Sequence, residues 1–137
     1  MLTVGSFLAW VGQCAAGGFD VPYVVNWSDL PEVEVLSNNF RKSIAGLQAG
    51  VNKLRIAHPC ATPRHKHDDS EQTVLMISGR MHIEIGDERF EVKAGDVCVV
   101  PIGMEHRFET IEGVVELFEV FAPMRVQNLI GFVGRVF

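Results

Sequence analysis

From about residue 43 to residue 123 the chain runs in short apolar and polar alternations, each closed by Gly, Pro or Asp. The runs are SIAGLQ, VNKLRIA, TVLMIS, MHIEI, ERFEV, VCVV, HRFET and VVELFEVF. Successive side chains of an extended strand leave opposite faces, so this alternation predicts half-buried strands. No segment sustains a helical period over three turns. Many short strands at this spacing predict an all-β fold, a sandwich or a barrel.

The plainest hairpin is MHIEI-GD-ERFEV. Met81, Ile83 and Ile85 share a face on its first strand, Phe90 and Val92 on its second, and Gly86-Asp87 supplies a type II′ turn. Lys93-Ala94-Gly95-Asp96 and Pro101-Ile102-Gly103 predict two more turns. Residues 20–42 are loosely patterned, with Pro22, Pro31 and the polar Ser37-Asn38-Asn39, and read as an arm and connection. The expected organisation is therefore one domain in three parts. Residues 1–42 form an N-terminal arm and connection packing on a barrel, 43–123 the barrel, and 124–137 an extension. In that extension LIGFVGRVF alternates as an added edge strand would.

Composition narrows the partners. A chain of 137 residues is long enough for one core that removes roughly two-thirds of its unfolded surface from water. The net charge of −5 gives no general attraction to nucleic acid or to anionic membranes. An anionic substrate must then be met by local Arg, Lys or metal charge. Cys14, Cys60 and Cys98 are too few and too scattered for a disulfide framework or a thiolate zinc site, so a reducing cytoplasm is the expected location. The first 19 residues carry no charged side chain, and so lack the cationic start of a secretory signal. Their four glycines dilute them below a membrane span. Two readings stay open: an arm packed on the barrel or a neighbouring subunit, or a misassigned start or weak export signal.

RHKHDDSEQ, residues 64–72, is the first candidate for chemistry. His65 and His67 lie two apart, so on a strand both imidazoles leave one face and can converge on an ion. Alone, such a pair also suits a solvated polar loop. Glu71 and Gln72 follow, and alternation lets only one of them face inward. His106 comes just after the Pro-x-Gly turn. His65 to Gly79 reads H-x-H-x4-Q-x6-G, and Gly95 to His106 reads G-x5-P-x-G-x2-H. These resemble the two signature motifs of the cupin superfamily, and the strand pattern extends the resemblance over about 43–123. Two positions depart from it: Pro59 stands where the first motif opens with Gly, and Thr110 where the second ends in Asn.

The resemblance implies a small antiparallel jelly-roll barrel with a divalent metal in its mouth, held by His65, His67, Gln72 and His106. Glu71 is the rival third ligand, but counting back from Gly79 favours Gln72. Imidazole-rich sites accept Zn, Ni, Fe, Mn or Cu, so the ion stays open. Neutral ligands leave its charge uncompensated, which makes a strong Lewis acid. The ending VVELFEVFAPMR places Glu119, Phe121 and Arg125 like the D-x-F-x-x-x-R ending of pectin-degradation cupins of the KdgF type. That resemblance implies an acid/base carboxylate in Glu119, an aromatic wall in Phe121 and a carboxylate-holding arginine in Arg125. It implies a homodimer that turns 4,5-unsaturated uronates, small anionic sugar acids, into linear ketonised acids. Glu replaces Asp, and Met124 stands where proline is frequent. The plainer reading makes Glu119 a solvated edge residue, Phe121 core and Arg125 a surface cation. At the level of function, the alternatives are a dioxygenase, a polyketide cyclase or a non-catalytic metabolite-binding cupin.

Overall fold

A computed structural model describes residues 24–46 and 48–125. Among the described residues nine strands run in chain order: β1 Val33–Leu36, β2 Asn39–Ala45, β3 Gly50–Ala57, β4 Glu71–Ser78, β5 Arg80–Ile85, β6 Glu88–Lys93, β7 Val97–Val100, β8 His106–Thr110 and β9 Val114–Ala122. Every pairing is antiparallel. A six-stranded sheet in the order β1-β2-β3-β9-β4-β7 faces a three-stranded sheet in the order β6-β5-β8. The all-β jelly-roll expectation holds. Among the described residues no helix is long and apolar enough to cross a membrane. Cys14, most of the N-terminal arm and the LIGFVGRVF extension lie outside the described residues.

The sheet starts at Val33, upstream of the expected boundary at residue 43. Ser37-Asn38, read as part of a connection, is the turn between β1 and β2, with Asn38 at φ +66°. Asn tolerates that left-handed conformation better than most residues. Residues of the segment just before β1, and the strands beside it, make the following contacts. Trp27 lies 5.6 Å from the Phe118 ring, Lys42 Nζ donates to the Trp27 carbonyl at 2.8 Å, and Arg55 pairs with Glu32 at 3.0 Å.

The two inner faces bury Leu54, Ile56, Val74, Met76, Met81, Ile83, Val92, Phe108, Val115 and Leu117 as one core. Cys60 and Cys98 are free thiols packed against it, as small hydrophobes would be. The β5–β6 hairpin forms as expected, Ile85 pairing with Glu88 across Gly86 at φ +59°. Phe90 shares the Val92 face but stays 44% exposed, because β6 is an edge strand.

Register carries the consequence for function. Toward one end of the six-stranded sheet the inner face turns from apolar to polar. Ser43 pairs with Asn52, Asn52 with Glu119 and Glu119 with Val74; one step further out lie Ala45, Gly50, Phe121 and Gln72. Alternation leaves these side chains inside. All of them are buried, the polar ones included.

Gly79, between β4 and β5, sits at φ +79°, and a Cβ there would meet the Val114 carbonyl oxygen at 2.5 Å. Gly95, at φ +91°, has nothing within 4 Å of that position. Gly95→Ala should cost the left-handed strain alone, about 1–2 kcal/mol. Gly79→Ala must also displace backbone, and urea unfolding should show it distinctly less stable; equal losses would put the Gly79 contact in error.

Candidate metal centre

The His65–His67 segment is not a strand of its own, as the spacing argument assumed. It lies in the connection between β3 and β4 and is held by one bridge to β8. His65 N–H donates to the His106 carbonyl at 3.0 Å, and His106 N–H to the His65 carbonyl at 2.8 Å. The bridge delivers two histidines far apart in the chain to one place. Lys66, between the ligand candidates, faces solvent and pairs with Asp68 at 3.2 Å.

The three imidazoles cluster tightly. Ring centroids are 4.3 Å apart for His65 and His106, and 4.9 Å for His67 with each of the others. Their ligand nitrogens all lie within 4.8 Å of one another, so they can hold one ion. His65 Nδ1 faces the Pro63 carbonyl at 2.8 Å, and His106 Nδ1 faces the Met104 carbonyl at 3.0 Å. A carbonyl only accepts, so each Nδ1 carries the proton and each Nε2 presents a lone pair. His106 Nε2 is buried with no partner.

Gln72 is 1% exposed, whereas Glu71 beside it faces solvent. The Gln72 Nε2 donates to Glu119 Oε1 at 2.9 Å. The Gln72 Oε1 is a second buried acceptor without a partner. Buried polar atoms are rarely left so. Two orphaned lone pairs beside two further imidazoles are what a bound divalent cation would satisfy, and the residues present fit one.

Burial and the Arg125 charge, with smaller effects from His106 and His65, push the His67 pKa down to about 4. Burial also lowers that of His106. Both rings are therefore neutral at physiological pH, the form that ligates. Arg125 donates to His67 Nδ1, a contact that puts the ring proton on Nε2 and must be given up for His67 to ligate; it also pairs with Asp69 at 3.2 Å and sits 5.8 Å from the Phe121 ring centroid. The Phe121 ring is 4% exposed and meets His67 edge-on at 5.3 Å. Glu119 is 7% exposed, so it is not a solvated edge residue. Burial raises its pKa, opposed by bonds from Asn52 and Gln72 and by the Arg41 charge.

The structure adds Ser43, Asn52 and Arg41, which motif reading missed. Their signal was a polar residue on the face that alternation assigns to the core: Asn52 with Leu54 and Ile56, Arg41 and Ser43 with Ala45. The two departures from the motifs also meet. The Thr110 hydroxyl accepts from Cys60 N–H at 3.0 Å and donates to its carbonyl at 3.1 Å, fixing the turn next to Pro59.

Residues 55–121 match the family described as Cupin domain. That match covers just under half of the chain, and the strand topology of the described residues is the cupin-type jelly roll. It is 31% identical over 67 residues to Polyketide synthase CurC of Streptomyces cyaneus, across 48% of this chain and 44% of that protein. It is 38% identical over 81 residues to an uncharacterized protein of Methanocaldococcus jannaschii, across 59% of this chain and 62% of the other. The matched part thus spans less than two thirds of either relative. In fold it resembles KdgF from Halomonas sp., with a TM-score of 0.71 at 19% identity over 74% of this chain and 94% of that one.

A pH dependence follows from His67. Its pKa falls from 6.5 to about 4 on folding, so between those values the unfolded chain binds a proton that the folded chain does not. Stability is intact above this window and is lost as pH falls through it. Metal-free protein should lose about 2 kcal/mol more than His67→Gln does between about pH 7 and about pH 4.5 in urea unfolding. Parallel losses in the two proteins would exclude the effect.

Proposed function

We propose that this chain is a metal-dependent cupin enzyme of the cytoplasm that opens and ketonises 4,5-unsaturated uronates. The observation that carries the reading is convergence. Glu119, Phe121 and Arg125, from one seven-residue stretch of β9 and its exit, all surround the His67–Gln72 side of the centre. His65, His67, His106 and Gln72 would hold the ion, which when bound supplies Lewis acidity to sugar oxygens.

The residues have separable parts. Arg125 pairs with the substrate carboxylate through two N–H donors, exchanging its present contacts with His67 and Asp69 for that anion. Phe121 walls the sugar from the core. Ring opening takes a proton from the anomeric hydroxyl as the bond from C1 to the ring oxygen breaks, leaving an aldehyde and an enol. Ketonisation returns a proton to C4, so the net change is an isomerisation. Glu119 can carry that proton: it is a carboxylate beside the centre, and burial raises its pKa above the ordinary value. Likeness to Polyketide synthase CurC supports the runner-up, a cyclisation of a polyketide at the same centre. A dioxygenase would be revealed by oxygen consumption with iron. Ligand binding that survives without metal would favour a non-catalytic metabolite-binding module.

We also propose a homodimer. Val97 and Val99 on edge strand β7 and Ile77 on β4 are 59%, 50% and 49% exposed, an apolar strip suited to a second copy. Loss of ultraviolet absorbance from an unsaturated uronate, measured after reconstitution with each candidate metal, tests the activity. Glu119→Gln should lower kcat by about 100-fold or more, and Arg125→Ala should act mainly on KM. Light scattering of the same preparations should give twice the chain mass. No turnover with any metal, or full activity in Glu119→Gln, would refute the reading.

A further inference from the structure

The inner face of the six-stranded sheet carries a polar row whose hydrogen-bond directions are all determined. The Ser43 hydroxyl donates to Asn52 Oδ1 at 2.7 Å, Asn52 Nδ2 donates to Glu119 Oε2 at 3.3 Å, and Gln72 Nε2 donates to Glu119 Oε1 at 2.9 Å. The four residues are 1%, 3%, 7% and 1% exposed in that order. Water is therefore no ready substitute for a lost partner, and each bond is costly to leave unmade. Strand register sets the row: Ser43 is opposite Asn52, Asn52 is opposite Glu119, and Gln72 lies one inward position from Val74, which is opposite Glu119.

We propose that Glu119 is a positioning residue for Gln72, and that Asn52 and Ser43 orient Glu119 in turn. A side-chain amide has two faces of opposite polarity. One carries two N–H donors and can only repel a cation; the other carries the oxygen that can bind it. Both Glu119 oxygens are taken by amide donors, so Gln72 must turn its NH2 toward Glu119. Its Oε1 is thereby turned away, buried and without a protein partner. Remove the acceptor at position 119 and the amide can rotate, presenting N–H groups to the ion. This role is distinct from proton transfer, because it needs only an acceptor. A neutral amide at 119 still offers one: Asn52 flips to meet its NH2, and the Ser43 hydroxyl turns from donor to acceptor.

The inference rests on Gln72 being a ligand, and the experiment separates the two ideas. Cobalt(II) affinity is measured by competition with a chromophoric chelator, alongside the visible spectrum of the bound ion, for single and double variants. Gln72→Ala should weaken binding by about 10–100-fold, the usual range for disturbed metal shells. Glu119→Leu should weaken it comparably and shift the spectrum, while Glu119→Gln should stay within about threefold of the parent even as turnover is lost. On the Gln72→Ala background, Glu119→Leu should add nothing, because the residue it positions is gone. Glu119→Ala carries the same cycle should the leucine variant fail to fold. Parent-like affinity in Gln72→Ala overturns the ligand reading and this inference together. Weak binding in Gln72→Ala with parent-like binding in Glu119→Leu, or equal Glu119→Leu losses on both backgrounds, overturns the positioning role alone.

Discussion

Two buried lone pairs organise this molecule: His106 Nε2 and Gln72 Oε1, both sealed from solvent and neither met by a protein donor. Leaving such a group unsatisfied costs about 1–3 kcal/mol each. The chain accepts that cost here because the groups behind these two atoms are satisfied. Backbone carbonyls hold Nδ1 of His65 and His106, and Glu119 holds the Gln72 NH2. The result is a set of acceptors aimed before any cation arrives. A preformed site of this kind holds an ion without having to reorder these ligands.

The scaffold makes this possible by keeping the polar end of one sheet apart from its apolar middle. Leu54, Leu117 and Met76 pack on the smaller sheet, while Asn52, Glu119 and Gln72 lie further along the same strands with the same inward direction. A slip of one residue in β9 would turn Glu119 and Phe121 outward and break both layers at once. Core packing thus enforces the register that the chemistry needs. Stability and site geometry are consequences of one set of pairings.

Much of the fold was legible because alternation and turn chemistry are local. Gly86-Asp87 and the MHIEI and ERFEV runs suffice for their hairpin. The β1–β2 hairpin was not legible, since β1 is short, mostly exposed and joined by a left-handed Asn rather than by Gly. The histidines and Gln72 were marked by motif spacing, but the manner of their meeting was not. His65 and His67 arrive by a loop bridged to β8, and only tertiary pairing shows that. Asn52, Ser43 and Arg41 escaped notice because a polar residue in an alternating strand looks solvent-facing until its neighbours fix the inner side.

The most direct test is crystallographic. Zinc-loaded protein, examined at the zinc absorption edge, should give one anomalous peak per chain, with nitrogens of His65, His67 and His106 and Oε1 of Gln72 about 2.0–2.2 Å away. A peak elsewhere, or one bound by the imidazoles with Gln72 out of reach, would contradict the account.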